Sequence, residues 1–258
     1  SCLYLAHDTQ QQPLVIKTLG VDLQQDKNAV EQFQLEDWVS KRLKHDNLMQ
    51  CYPHNTEKKY LFQCYEYLQG ETLAQWLHRQ EKPLNLDEIL PILQQTALAL
   101  NAMHRLEMLH QDIRPKNIMV INAENAMKIK LIDYGSTAVR GLVEINPKNA
   151  NRALGTLAFM APEYFIDHSP SVHSDQFSLA VMAYYLFTKQ LPYGTDLARC
   201  NSLKQMKKVQ YHSIRKYRPD LPIWLDKILG QALSIEPIHR FEALSELIHN
   251  LMHPSKEL

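Results

Sequence analysis

The stretch His110-Gln111-Asp112-Ile113-Arg114-Pro115-Lys116-Asn117 brings a carboxylate, a guanidinium and a carboxamide within eight positions. On a loop, an Asp and an Asn at this spacing have two complementary uses. The carboxylate of Asp112 orients a hydroxyl and accepts its proton, and the amide oxygen of Asn117 ligates a hard cation. Arg114 has the charge to neutralise a phosphoryl group in transfer. Further along, Asp133-Tyr134-Gly135 sets a second hard oxygen ligand at a strand end, beside a glycine that permits turns other residues resist. Upstream, Leu14-Val15-Ile16-Lys17 ends an apolar strand on an ammonium, which needs a partner if it is buried. Glu36 supplies one. Taken singly, Asp-x-Gly is as readily an ordinary turn, and Lys17 an exposed strand-end charge.

Positioning these groups requires elements that the patterning supplies. Residues 2–6 and 14–19 read as strands around the polar turn 7–12, and 28–43 reads as a helix on Val30, Phe33 and Val39. Residues 48–52 and 60–67 read as two more strands. After Gly70 the pattern turns helical: 87–105, then a hairpin of 118–121 and 127–132, then helices near 174–188, 221–233 and 240–252, with Ser174 as the cap of the first. No repeat or low-complexity segment appears.

The chain has 258 residues, 45% hydrophobic and 22% charged, with formal net charge zero. It is long enough for one large domain or two packed lobes, and it lacks the basic excess of a nucleic-acid binder. Cys2, Cys51, Cys64 and Cys200 show no CxxC or zinc spacing and read as reduced thiols. The twelve histidines contain no HExxH pattern. The longest apolar run, 178–187, is too short to span a bilayer. A first residue of Ser, leading at once into a strand pattern, reads as a segment of a longer protein.

The order is more telling than any one piece. Val15-Ile16-Lys17, a helical Glu36, HxDxxxxN, DxG and Ala161-Pro162-Glu163 follow one another in the register of the protein-kinase signature set, with Asp175 and Arg240 in their places, so the chain resembles a protein kinase over essentially its whole length. The resemblance implies an α+β, two-lobed fold: an incomplete antiparallel-sheet N-lobe over 1–68 and a mainly helical C-lobe over 69–258. It implies ATP and Mg2+ as cofactors, with Lys17 on the α- and β-phosphates and paired with Glu36. Asp112 is then the catalytic base, Arg114 the charge neutraliser, and Asn117 and Asp133 the metal ligands. Leu3, Val15 and Met119 would sandwich the adenine, Tyr65 would be the gatekeeper, and the backbone of Glu66 and Leu68 would bond the adenine edge, with Glu71 a weaker candidate for a ribose contact. Gly155-Thr156 before Ala-Pro-Glu is the serine/threonine pattern, implying a protein substrate with a Ser or Thr acceptor. The run 132–137, the His-Gln-Asp loop and the end from Ala243 to Pro254 resemble bacterial proteins that fuse a PPM-type phosphatase to a kinase. A phosphatase domain in the same parent chain and a cytoplasmic catalytic domain follow from that likeness, with any membrane anchor of the parent downstream of this segment.

Four departures qualify the likeness. The glycine-rich loop is absent, Ser1 standing where its third glycine would be, so this segment is expected to bind ATP more weakly than one extended by about fifteen residues, the size of a loop and strand. Gln111 replaces the arginine that commonly precedes the catalytic Asp, and residues 140–154 contain no Ser, Thr or Tyr. Both halves of a phosphate switch are therefore missing together, and activity is expected to be independent of phosphorylation there. Arg114 stands where most serine/threonine kinases have Lys. Tyr134 replaces phenylalanine, and its phenol is expected to bond Ser40 or to reach water. Glu163 and Arg240 are expected to form a buried ion pair. Asp175 is either a helix cap or a tether of the catalytic-loop backbone. Two other readings keep parts of this pattern: a pseudokinase scaffold, and a small-molecule phosphotransferase of the aminoglycoside type.

Overall fold

The computed structural model describes residues 1–53, 61–123, 126–141, 157–166 and 169–254. β1 (Cys2–His7) and β2 (Pro13–Thr18) form a hairpin whose turn is closed by Asp8, which accepts from the backbone of Gln10 and Gln12. β2 continues into β4 (Phe62–Glu66), and β4 into the short β3 (Cys51–Tyr52), giving an antiparallel sheet of order β1-β2-β4-β3. Leu3 is opposite Lys17, which is opposite Gln63, and Val15 is opposite Tyr65. Because strand side chains alternate, Leu3, Val15, Lys17 and Tyr65 share one face.

α1 (Lys27–Ser40) packs beneath that sheet. Asp26 caps it, accepting from Asn28 and Ala29, as N-cap carboxylates do. Most of the predicted strand 48–52 is something else. Leu48 bridges Leu131 in parallel, Met49 N–H donates to the Leu131 carbonyl at 3.0 Å, and Leu131 N–H donates to the Asn47 carbonyl at 2.8 Å. This segment spends its backbone bonds on tying the sheet half to the helical half.

The helical half is entered through β5 (Gly70–Thr72), which pairs with β7 (Ile118–Ala123) and through it β8 (Ala126–Leu131). A Cβ on Gly70 would lie 2.1 Å from the Val120 carbonyl oxygen, so only glycine permits this strand approach. Next come α2 (Leu73–His78) and the central α3 (Leu86–His104), opened by an Asn85–Glu88 capping box. β6 (Met108–Leu109) pairs with β9 (Ala138–Val139). α4 (Val172–Thr188) is buried nearly all round, and α5 (Ile223–Ala232) and α6 (Leu244–Met252) close the base. Ser171, not Ser174, caps α4; Ser174 is the third helical residue and answers it in a reciprocal box. Residues 240–243, expected to be helical, precede α6, and Arg240 is extended with its side chain turned inward. The buried core runs continuously from Val39 and Tyr65 through Leu93 and Leu100 to Phe177 and Leu229.

Candidate active site

Three ionic groups far apart in sequence meet where the sheet faces the helical half. Lys17 Nζ lies 2.5 Å from Glu36 Oε1 and 3.1 Å from Asp133 Oδ1. Glu36 projects from the buried side of α1, and Gln32, one turn earlier, donates to the Gly135 carbonyl at 2.6 Å. One helix therefore holds both the lysine's partner and the DxG turn. Burial pushes the Lys17 ammonium down, but the two carboxylates outweigh it and hold the group above its ordinary value. Burial pushes the Glu36 carboxyl up, against the pull of Lys17. Asp133 is also pushed up by burial, yet Lys17 holds it below the carboxylate range, so it stands ready as an anionic oxygen ligand.

The backbone supporting Asp133 is unusual in a different place from the one glycine marks. Asp133 and Gln111 have φ of 66° and 65°, both left-handed and both non-glycine, whereas Gly135 is not left-handed. Such backbone is costly and persists only where its surroundings enforce it. Gly135 leaves room there: a Cβ would press on Asp133 Oδ1 at 3.3 Å and touch Glu36 Oε2 at 3.4 Å.

Asn117 Nδ2 donates to the Asp112 carbonyl at 2.8 Å and to Asp112 Oδ2 at 2.7 Å. The carboxamide is thereby oriented nitrogen toward Asp112, and its oxygen is directed the other way. The Asn117 carbonyl accepts from Ile132 N–H at 2.8 Å, so the loop and the strand leading to Asp133 are joined. Asp112 and Arg114 are half-buried on this loop. Asn117 and Asp133 thus present hard oxygens from two segments held in contact, a donor set that fits magnesium.

Asp175, fully buried, settles the choice between cap and tether. Its carboxylate accepts from the backbone N–H of His110 at 3.0 Å and of Gln111 at 2.9 Å, and His104 Nε2 lies 2.9 Å away. These bonds enforce the left-handed turn at Gln111. Glu163 and Arg240 form the expected pair, two-pronged at 2.9 and 2.8 Å and buried on both sides. Ser174 Oγ adds a bond to Glu163 at 2.7 Å.

Tyr134 takes neither expected partner. Its phenol donates to the Met49 carbonyl at 3.0 Å, with the Leu131 carbonyl at 3.3 Å, while Ser40 Oγ donates to the Asp37 carbonyl. The ring is buried edge-on to His110.

Of the residues expected around adenine, Leu3 is 67% exposed on the edge strand β1. Val15 is half-buried on β2, and Met119 lies on β7 opposite Thr72. Tyr65 is buried, its hydroxyl donating to Gln63 Oε1 at 2.7 Å. Leu68 is half-buried in the link to β5. Glu66 brings an unforeseen feature: its carboxylate accepts from Gln50 N–H at 2.7 Å and from the ammonium of Lys130 on β8. Nothing in the run Met127 to Ile132 singles out Lys130 from Lys128, so only the strand pairing reveals it. Glu71 is engaged by Arg79. Gly155 and Thr156, and the stretch 142–154, lie outside the described residues.

A small antiparallel sheet over a helical half, with a lysine–carboxylate cluster between them and a tethered Asp/Asn loop below, defines a two-lobed, kinase-type phosphotransferase fold. A family model described as the protein kinase domain matches residues 1–253, and the chain belongs to that family. It is 26% identical over 246 residues to the serine/threonine-protein kinase PrkC of Bacillus subtilis, covering 95% of this chain and 37% of the relative. It is 30% identical over 233 residues to the serine/threonine-protein kinase pkn3 of Myxococcus xanthus, covering 88% of this chain and 42% of that one. The chain therefore spans about two fifths of the length of these relatives. The crystal structure of the Mycobacterium tuberculosis PknI kinase domain superposes with a TM-score of 0.73 at 24% identity, covering 98% of this chain and 90% of that one.

Proposed function

We propose that this chain is the catalytic domain of a serine/threonine protein kinase that transfers the γ-phosphate of ATP to a hydroxyl of a protein substrate. The observation that carries the reading is the meeting of Lys17, Glu36 and Asp133 within 3.1 Å, across 116 positions of sequence. Clustering of this kind, with one cation shared by two carboxylates, is poised for a polyanion and its counter-ions.

In this reading Lys17 holds the nucleotide phosphates, oriented by Glu36. Asp112, steadied by the Asn117 amide, orients the acceptor hydroxyl and takes its proton, while Arg114 balances charge on the phosphoryl group. Asn117 and Asp133 would hold magnesium, which supplies charge neutralisation on the phosphates. Leu3, Val15 and Met119 flank the base, Tyr65 guards the rear, and the backbone of Glu66 and Leu68 meets its edge. The lobe boundary falls between Leu68 and Gln69, after β4 ends and before β5 joins the C-lobe sheet. Glu163, Arg240 and Asp175 anchor a platform suited to polypeptide, which favours a protein substrate over a small molecule.

Two finer points belong to the same proposal. Activity does not depend on phosphorylation within 140–154, a stretch that holds no Ser, Thr or Tyr; Arg140 docks its start on Glu107 through its backbone at 3.0 Å and its guanidinium at 3.2 Å. The parent is a bacterial protein carrying a PPM-type phosphatase domain, its kinase part on the cytoplasmic side; the parent reading frame tests this directly.

Asp112→Asn is the decisive variant. It should lower phosphate transfer from labelled ATP to a protein acceptor by about a hundredfold or more while leaving nucleotide binding in place. Transfer undiminished by the change would favour the scaffold reading.

A further inference from the structure

Beside the lysine–carboxylate cluster, the space between the sheet and α1 holds a polar side chain where an apolar one would pack as well. Gln63 on β4 is fully buried. It stands directly across from Lys17 in the sheet register, so the two side chains leave neighbouring strands on one face. Both reach α1. Lys17 takes the Glu36 carboxylate, and Gln63 Nε2 donates to the Phe33 carbonyl at 2.8 Å, one turn earlier in the helix. The other end of the carboxamide is also engaged: Tyr65 Oη donates to Gln63 Oε1 at 2.7 Å.

These bonds run in one direction only. A carbonyl accepts and never donates, so the carboxamide presents its nitrogen to Phe33, which leaves its oxygen for the phenol. Burial above all, and the Glu36 charge after it, pushes the Tyr65 phenol up, so it stays protonated and able to donate. Tyr65 thus orients the Gln63 carboxamide, and Gln63 holds the backbone of α1. A buried carboxamide destabilises the fold unless its ends are satisfied; once satisfied, it rigidifies what it joins. Glu36 lies three residues beyond Phe33, on the same side of the helix. We infer that Gln63, oriented by Tyr65, is a positioning residue for phosphate transfer: it fixes α1 against β4 so that Glu36 meets Lys17 before nucleotide arrives. It acts through Glu36, not by contact with nucleotide or acceptor. The inference rests on the kinase reading of the site and adds to it the group that keeps α1 in place.

Gln63→Met combined with Tyr65→Phe removes the carboxamide and its phenol partner together. No buried side-chain polar group is then orphaned, and the Phe33 carbonyl keeps its helical bond. In the nucleotide-free double variant, backbone amides of residues 33–40 should exchange with deuterium about three- to tenfold faster, the range of one hydrogen bond. Those of α3 should be unaffected. With ATP and a protein acceptor, kcat/KM for ATP should fall by about the same factor. In a Glu36→Gln background the carboxylate that Gln63 positions is already gone, so the same two changes should lower kcat/KM by less than about twofold. Tyr65→Phe alone leaves Gln63 on Phe33 and serves where the double variant does not fold. It should lower kcat/KM about two- to threefold, an effect that again disappears in Glu36→Gln. Unchanged exchange over 33–40, or a fall in kcat/KM as large in Glu36→Gln as in the unaltered background, overturns the positioning role and leaves the kinase reading standing. An unaltered protein that transfers no phosphate to a panel of protein acceptors overturns the kinase reading, and this inference with it.

Discussion

Replacing Glu163 by glutamine keeps the shape of a buried side chain and removes its charge, leaving the Arg240 guanidinium without its counter-ion. Both side chains are at most 2% exposed, so water neither screens the pair nor compensates its loss. Breaking such a pair from one side costs roughly 3–5 kcal/mol. Glu163→Gln belongs near the lower end, about 3 kcal/mol. Arg240 would still donate to the carbonyls of Ser234, Ile235 and His173 at 2.9, 3.1 and 2.8 Å. Arg240→Ala belongs near the upper end, about 5 kcal/mol. It strands the carboxylate with the Ser174 hydroxyl, strips those carbonyls of their donor and removes the cation from over the Phe177 ring, 4.8 Å away. At about 2–4 °C per kcal/mol for a domain of this size, the melting temperature should fall by roughly 6–12 °C and 10–20 °C respectively. A pH series adds a sign. Burial would raise the Glu163 carboxyl, but Arg240 and Ser174 together hold it below its ordinary value. Its contribution is therefore present above the unfolded value of about 4.3 and is lost as pH falls toward the folded one. The gap between the unaltered protein and Glu163→Gln should narrow on acidification through that window. A Glu163→Gln protein that melts with the unaltered one at neutral pH, or a gap that stays constant down the acid limb, would refute the reasoning.

Tyr134→Phe should destabilise the fold by about 1–2 kcal/mol in urea unfolding, because the Met49 carbonyl loses a buried donor while the Leu131 carbonyl keeps Met49 N–H; a neutral or stabilising outcome would mean the phenol bond contributes nothing. Gly70→Ala should cost about 1–3 kcal/mol, since the new methyl meets rigid backbone at Val120 and must push β5 from β7; a thermal melt within about 0.5 kcal/mol of the unaltered protein, the range of an ordinary surface change, would contradict it.

Much of the architecture was legible because it is written in local chemistry. Alternation announced β1, β2 and the β7–β8 hairpin, and helical spacing announced α1, α3 and α4, with ends displaced by a few residues where caps compete. At α4 both Ser171 and Ser174 have capping hydroxyls, and the true cap is the one whose partner closes the box. α2 went unread although Thr72-x-x-Gln75 carries a capping-box signature, because six residues are too few for periodicity to register. The site residues were readable as types in an order: Lys17 and Glu36 fall on elements that patterning had already placed, and Asp112, Asn117 and Asp133 in the connections beside them.

What remained for tertiary structure was everything that depends on which groups face one another. The phenol of Tyr134 found backbone carbonyls instead of Ser40, since the segment 47–49 crosses to β8 where a strand was expected. The backbone strain sits at Asp133 and Gln111, enforced at Gln111 by a carboxylate 64 residues downstream, while Gly135 serves to leave room. The bond between Glu66 and Lys130 joins two strands that no local pattern pairs. Residue types and short-range spacing determine what a chain is equipped to do, because propensity and periodicity act over a few positions. Partners, charge states and strain belong to contacts between segments distant along the chain, and only the folded arrangement decides them.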